Sequence, residues 1–161
     1  MDSLKFGTFP RSGSHFFTLL TGCEWLVHNI SLLEKNDNVV VSIRNPLHCV
    51  PSWIVFNHDN RLDRAEKVLE WYCFYYEKVK ELDVVILPFE QLIFDPLFCV
   101  NYSCKKYGLE PFQSFDYDLS TGFQAPTKDK SKYDEIVQEM KLSPSFTRAV
   151  GLFEELCVPV G

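Results

Sequence analysis

Val39, Val40, Val41, Ser42 and Ile43 are the residues that most narrow the fold. Successive side chains of a strand point to opposite sides of its sheet, so a run this apolar does not belong to a strand with one wet face. It belongs inside a parallel sheet covered on both faces, and a parallel sheet needs helical crossovers. Strand-like and helix-like runs alternate on either side of it. The expected class is therefore α/β: a three-layer arrangement of a parallel sheet with flanking helices and right-handed βαβ connections. A chain of 161 residues makes one domain, 1–161, burying roughly 70% of its unfolded surface.

The other elements are expected as follows. Residues 4–9 form a first strand, which breaks at Pro10. Residues 14–28 place Phe16, Phe17, Leu19, Leu20, Cys23, Leu26 and Val27 at helical spacing, with Ser14 as N-cap. Residues 30–33 form a second short strand ending at Glu34, and 35–38 a turn. Pro51 lacks an amide and would clash with the carbonyl four residues back, so it opens a helix with Ser52 in its first turn. A long amphipathic helix covers 62–82 and a strand 83–87. The next helix starts near Asp95-Pro96 and closes at Gly108-Leu109. Two further helices cover 133–141 and 144–156, the second led by Ser143-Pro144.

Composition removes several functions. A net charge of −6 argues against general nucleic-acid binding, so an anion site must be locally basic. There is no basic-then-apolar leader, and no apolar run nears the ~20 residues that span a bilayer. The six cysteines, Cys23, Cys49, Cys73, Cys99, Cys104 and Cys157, lack paired CxxC spacing. They suit reduced, buried thiols and a cytoplasmic setting. No metal-ligand cluster is visible.

Two stretches carry chemistry. Between the first strand and the helix, Pro10-Arg11-Ser12-Gly13-Ser14 makes an anion loop: helix amides and dipole converge there and Arg11 adds a forked donor. Ser12 and Ser14 add hydroxyls, and Gly13 permits close backbone approach. It is not the nucleoside-triphosphate loop, which requires G-x-x-x-x-G-K-[S/T]. The second stretch is Arg44 at the carboxyl end of the 39–43 strand, with Ser52 eight residues later. Open α/β sheets bind ligands at that edge.

Together these stretches resemble the signatures of the sulfotransferase family. Its 5′-phosphosulfate loop commonly reads Thr-x-Pro-Lys-Ser-Gly-Thr-Thr. Thr8, Pro10, Ser12 and Gly13 match it; Arg11 replaces lysine, as in the protein-tyrosine branch, Ser14 replaces threonine, and His15 departs from the second threonine. The family's second signature is a strand, Arg-Asp/Asn-Pro, and a serine at the position of Ser52, which Arg44-Asn45-Pro46 matches. Pro88 to Leu92 is similar to its Tyr-Glu-Asp-Leu segment. The resemblance covers roughly 4–111. The family's late Arg-Lys-Gly-x-x-Gly segment is missing, and the basic cluster 127–132 either substitutes for it or is a polar loop.

The resemblance implies a P-loop nucleotide-binding core and transfer of a sulfuryl group from 3′-phosphoadenosine 5′-phosphosulfate (PAPS) to an acceptor hydroxyl or amine, on a small molecule or peptide. It implies nucleotide contacts from Arg11, Ser12, Gly13, Ser14, His15 and Phe16 at the 5′ end, and from Arg44 and Ser52 at the 3′-phosphate. The family uses a histidine or, in the protein-tyrosine branch, a glutamate after the second strand as base. Glu34 is the first candidate and His15 the second, whereas His28 falls at the end of the first helix, away from the expected cleft. A non-catalytic nucleotide-binding module and a P-loop small-molecule kinase stay open as alternatives.

Overall fold

The computed structural model describes residues 3–57, 64–115 and 130–161. Four strands, β1 (Lys5–Thr8), β2 (Glu24–Trp25), β3 (Val39–Ile43) and β4 (Val85–Pro88), form an all-parallel sheet of order β2-β1-β3-β4. Around it lie α1 (Ser14–Thr21), α2 (Ile30–Glu34), α3 (Pro46–Phe56), α4 (Arg64–Lys80), α5 (Phe89–Phe94), α6 (Pro96–Tyr107), α7 (Lys130–Leu142) and α8 (Phe146–Leu156). Among the described residues no helix is long and apolar enough to cross a membrane.

β3 is buried at all five positions, as its sequence requires, and its side chains divide between two cores. Val39, Val41 and Ile43 meet α2, α3, α4, α7 and α8, while Val40 meets α1, α5 and α6. The sides follow from topology. The chain steps from β1 outward to β2 through α1, then reverses to β3 and β4 through helices on the opposite face. Crossovers of a single hand must change face when the direction of travel reverses.

Several elements differ from the sequence expectation. α1 stops at Thr21, because Gly22 takes a left-handed conformation (φ 64°) and its amide bonds Thr18 O, a glycine C-cap. Gly13, not Ser14, is the N-cap. The second strand is Glu24–Trp25, held by pairing with β1, and residues 30–34 are helical. Asn29 caps that helix by accepting from Ser31 N at 3.0 Å. α3 begins at Pro46 and runs through Pro51. Tyr133 Oη donates to Leu47 O at 2.9 Å, serving the carbonyl that Pro51 has no amide to reach. The 62–82 helix appears as Arg64–Lys80, with 62 and 63 outside the described residues. α6 matches, with Asp95 capping Phe98 N and Gly108 at φ 66° closing it. α8 starts at Phe146, two residues later than expected, with Ser145 as N-cap. The six cysteines are free; four are buried, and Cys23 and Cys157 are half-buried.

Candidate functional site

In the strand order β2-β1-β3-β4 the chain leaves β1 on one side and re-enters on the other. The carboxyl ends of β1 and β3 therefore flank the topological switch point, where open α/β sheets leave a crevice. A cavity of about 1010 Å³ opens there. The loop after β1, the residues after β2, α3, α5 and α7 all contribute to its walls.

The loop after β1 is bent by two left-handed residues, Arg11 (φ 62°) and Gly13 (φ 99°). Gly13 needs that freedom, and a Cβ there would also press on the Phe89 ring. Arg11 does not have it; a non-glycine residue in this region is strained by roughly 1–3 kcal/mol unless its surroundings fix it. Here they do. Arg44 Nη1 donates to Arg11 O at 2.8 Å, and Arg11 Nε donates to Ser52 Oγ at 2.9 Å. Beneath the loop, Ser42 Oγ bonds both Thr8 Oγ1 and the carbonyl of Ser12. From α4, Tyr76 Oη and Tyr72 Oη each donate at 2.9 Å, to Ser42 O and Arg44 O. A buried hydroxyl frame thus fixes the turn.

The two arginines are close enough that Arg44 opposes the charge of Arg11. Burial first, and that repulsion second, lower the Arg11 pKa. Each guanidinium lies over a ring, Arg11 at 4.9 Å from the Phe56 centroid and Arg44 at 4.4 Å from Phe89. None of the ion pairs among the described residues involves Arg44. Lys130 adds a third cation to the walls, against the carboxylate of Asp134. An acidic chain has assembled a locally basic cavity.

The cavity brings together Arg11, Gly13, Ser14, His15, Phe16, Arg44 and Ser52 of the expected site residues. Arg11 and Ser52, expected at opposite ends of a ligand, touch. Ser12 is buried below the loop, away from the cavity lining, and its hydroxyl lies 3.5 Å from Pro10 O. Glu34 is exposed at the end of α2, near the opposite edge of the sheet. Just beyond it, Asn36 Oδ1 and Asn38 O accept from Lys5, the first residue of β1. The premise that Glu34 follows a strand into the cleft does not hold. Of the 127–132 cluster, 127–129 lie outside the described residues, and Lys130 opens α7.

His28 is where the sequence expectation is most changed. It follows β2, lines the cavity, and places Nδ1 2.6 Å from Thr8 O at the end of β1. A carbonyl can only accept, so Nδ1 carries the hydrogen and Nε2 keeps its lone pair. Burial lowers the His28 pKa, partly offset by that carbonyl, so the ring is neutral at pH 7. His28 is thus placed as a proton acceptor. Trp25, Trp53 and Phe56 also line the cavity, beside and beyond it. No family profile, curated protein or solved structure matches this chain.

Proposed function

We propose that the protein is a sulfotransferase that moves a sulfuryl group from PAPS to an acceptor hydroxyl. The observation that carries this is the pair Arg11 and Arg44, from consecutive halves of the switch point, held together at the mouth of a helix. Two adjacent like charges favour an anion with more than one charged group. The 3′ oxygen and the carbon that bears the 5′ oxygen are attached to adjacent ring carbons of one ribose, so neighbouring sites suit a 3′,5′-bisphosphate. Ser14, Ser52 and the first turn of α1 supply further donors, and Phe89 and Ile93 an apolar wall. The match of the loop and of Arg44-Asn45-Pro46 to sulfotransferase signatures supplies the choice among anions.

In this reading the nucleotide supplies the sulfuryl group on a phosphate leaving group. Arg11 and the α1 amides stabilise the charge that grows on that phosphate. Arg44 and Ser52 hold the 3′-phosphate and so fix the ligand's register. His28 Nε2 accepts the acceptor's proton, with the Thr8 carbonyl holding the tautomer that makes this possible.

Calorimetry with adenosine 3′,5′-bisphosphate, adenosine 5′-monophosphate and ATP tests the proposal. The bisphosphate is expected to bind tightest. Arg11→Ala removes a charge-assisted contact of about 1.5–3 kcal/mol, a loss of tenfold or more. The double variant Arg44→Ala, Ser52→Ala should abolish the preference for the 3′-phosphorylated ligand. Absence of bisphosphate binding, or tighter binding of ATP, overturns the proposal.

A further inference from the structure

The chain has three tryptophans, and all three surround His28. Trp25 of β2, Trp53 of α3 and Trp71 of α4 place their ring centroids 5.2, 6.0 and 6.1 Å from its imidazole, each edge-on. Trp53 and Trp71 also meet each other, and Phe56 extends the wall by stacking on Trp53 at 6.3 Å and 23°. Trp53 and Trp71 pack against the hydrophobic core, but core packing does not account for the outer part of the wall. Trp25 is 41% and Phe56 53% exposed, and both face the cavity. The cavity thus has two kinds of wall, Arg11, Arg44 and Ser52 on one side and aromatic faces around one hydrogen-bonded histidine on the other, which meet where Arg11 lies over Phe56.

We infer that the acceptor is a phenolic hydroxyl, its flat ring held by Trp25, Trp53 and Phe56 and its oxygen directed at His28 Nε2. This rests on the sulfuryl-transfer reading for the chemistry, but the aromatic site stands on its own geometry. Flat rings gain offset-stacked and edge contacts here that a saturated ring cannot make. A sugar could lay only its C–H face on such rings, and its several edge hydroxyls would need partners that indole and phenyl groups do not supply. Acidity points the same way. The burial that lowers the His28 pKa makes it a weak base, and a phenol, with a pKa near 10, gives up its proton far more readily than an aliphatic alcohol. In the transfer the phenolic oxygen bonds to sulfur, and its proton passes to Nε2. The bond between sulfur and the 5′-phosphate oxygen breaks, and its electron pair leaves with adenosine 3′,5′-bisphosphate. A small phenol and a tyrosyl side chain share this chemistry.

The full chain is titrated with 2-naphthol and with decahydro-2-naphthol, following tryptophan fluorescence, with and without adenosine 3′,5′-bisphosphate. The aromatic alcohol should bind at least about tenfold tighter than its saturated counterpart. Trp53→Ala should remove most of that difference while nucleotide affinity changes less than about twofold. Trp25→Ala, on an exposed edge position, is the second variant should Trp53→Ala not fold. Equal binding of the two alcohols, or unchanged naphthol affinity in the variants, overturns the inference. Loss of nucleotide binding alone would instead defeat the sulfuryl-transfer reading and leave the phenol site intact. With PAPS, 2-naphthol and a tyrosine-containing peptide are offered in competition. The product, aryl sulfate or sulfated peptide, identifies the source of the phenol, and transfer to neither with the saturated alcohol sulfated overturns the inference.

Discussion

At the scale of single residues, side-chain chemistry was legible where it is local. Arg11, Gly13 and Arg44 announce themselves by type and by position after a strand, and the cavity gathers them. His28 did not, because its position depends on the two-residue strand before it, which pairing with β1 holds and sequence pattern does not reveal. In the proposed reaction His28 accepts a proton, and a positioned base is worth typically 10²–10⁴ in rate. His28→Gln should therefore lower turnover by about a hundredfold or more while bisphosphate affinity holds. The pH profile adds a sign. Burial lowers the His28 pKa, so kcat/KM should fall on acidification with a midpoint below the ordinary histidine value of about 6.5, and the variant should lack that limb. Glu34→Gln, on an exposed residue outside the cavity, should change neither quantity. A loss of turnover in Glu34→Gln comparable to that of His28→Gln would contradict the assignment.

Among elements, α3 shows how a local rule is outweighed. Pro51 should break a helix, and the sequence carries no local remedy. The remedy comes from 82 positions further on, counting from Pro51 to Tyr133, whose hydroxyl serves Leu47 O and docks α7 on α3. Such a donor is invisible until the tertiary structure exists. The end of α1 was legible in principle, since Gly22 is a standard C-cap, but apolar spacing continued to Val27 and masked it. Tyr133→Phe removes the donor and should destabilise the protein by roughly 1–3 kcal/mol in urea unfolding. In a Pro51→Ala background the residue-51 amide can serve Leu47 O instead, so the same change should be milder by a measurable coupling term. Strict additivity of the two substitutions would show that Pro51 and Tyr133 are energetically independent.

For the molecule as a whole, the parallel sheet and its covering helices followed from one doubly buried strand, whereas the strand order did not. Order positions the candidate site, because β2-β1-β3-β4 places the switch point between the loops that carry Arg11 and Arg44. The scaffold and the site should therefore separate in stability measurements. Gly7 sits in β1 where a Cβ would run into Leu33 of α2 and approach Tyr75 Oη of α4 at 3.3 Å. Its backbone is not left-handed, so the constraint is space alone. Gly7→Ala should overpack this core by about 1–3 kcal/mol and lower Tm with or without ligand. In the proposed reading, adenosine 3′,5′-bisphosphate at 100 times its Kd should stabilise the native state by about 2.7 kcal/mol, which for a chain of this size should raise Tm by roughly 5–10 °C. Gly7→Ala should retain that rise from a lower starting point. Arg44→Ala gives up its bond to Arg11 O, so it should start modestly below wild type, and it should lose most of the rise. If both variants lose the same part of the ligand-induced shift, site and scaffold are not separable, and the switch-point assignment fails with them.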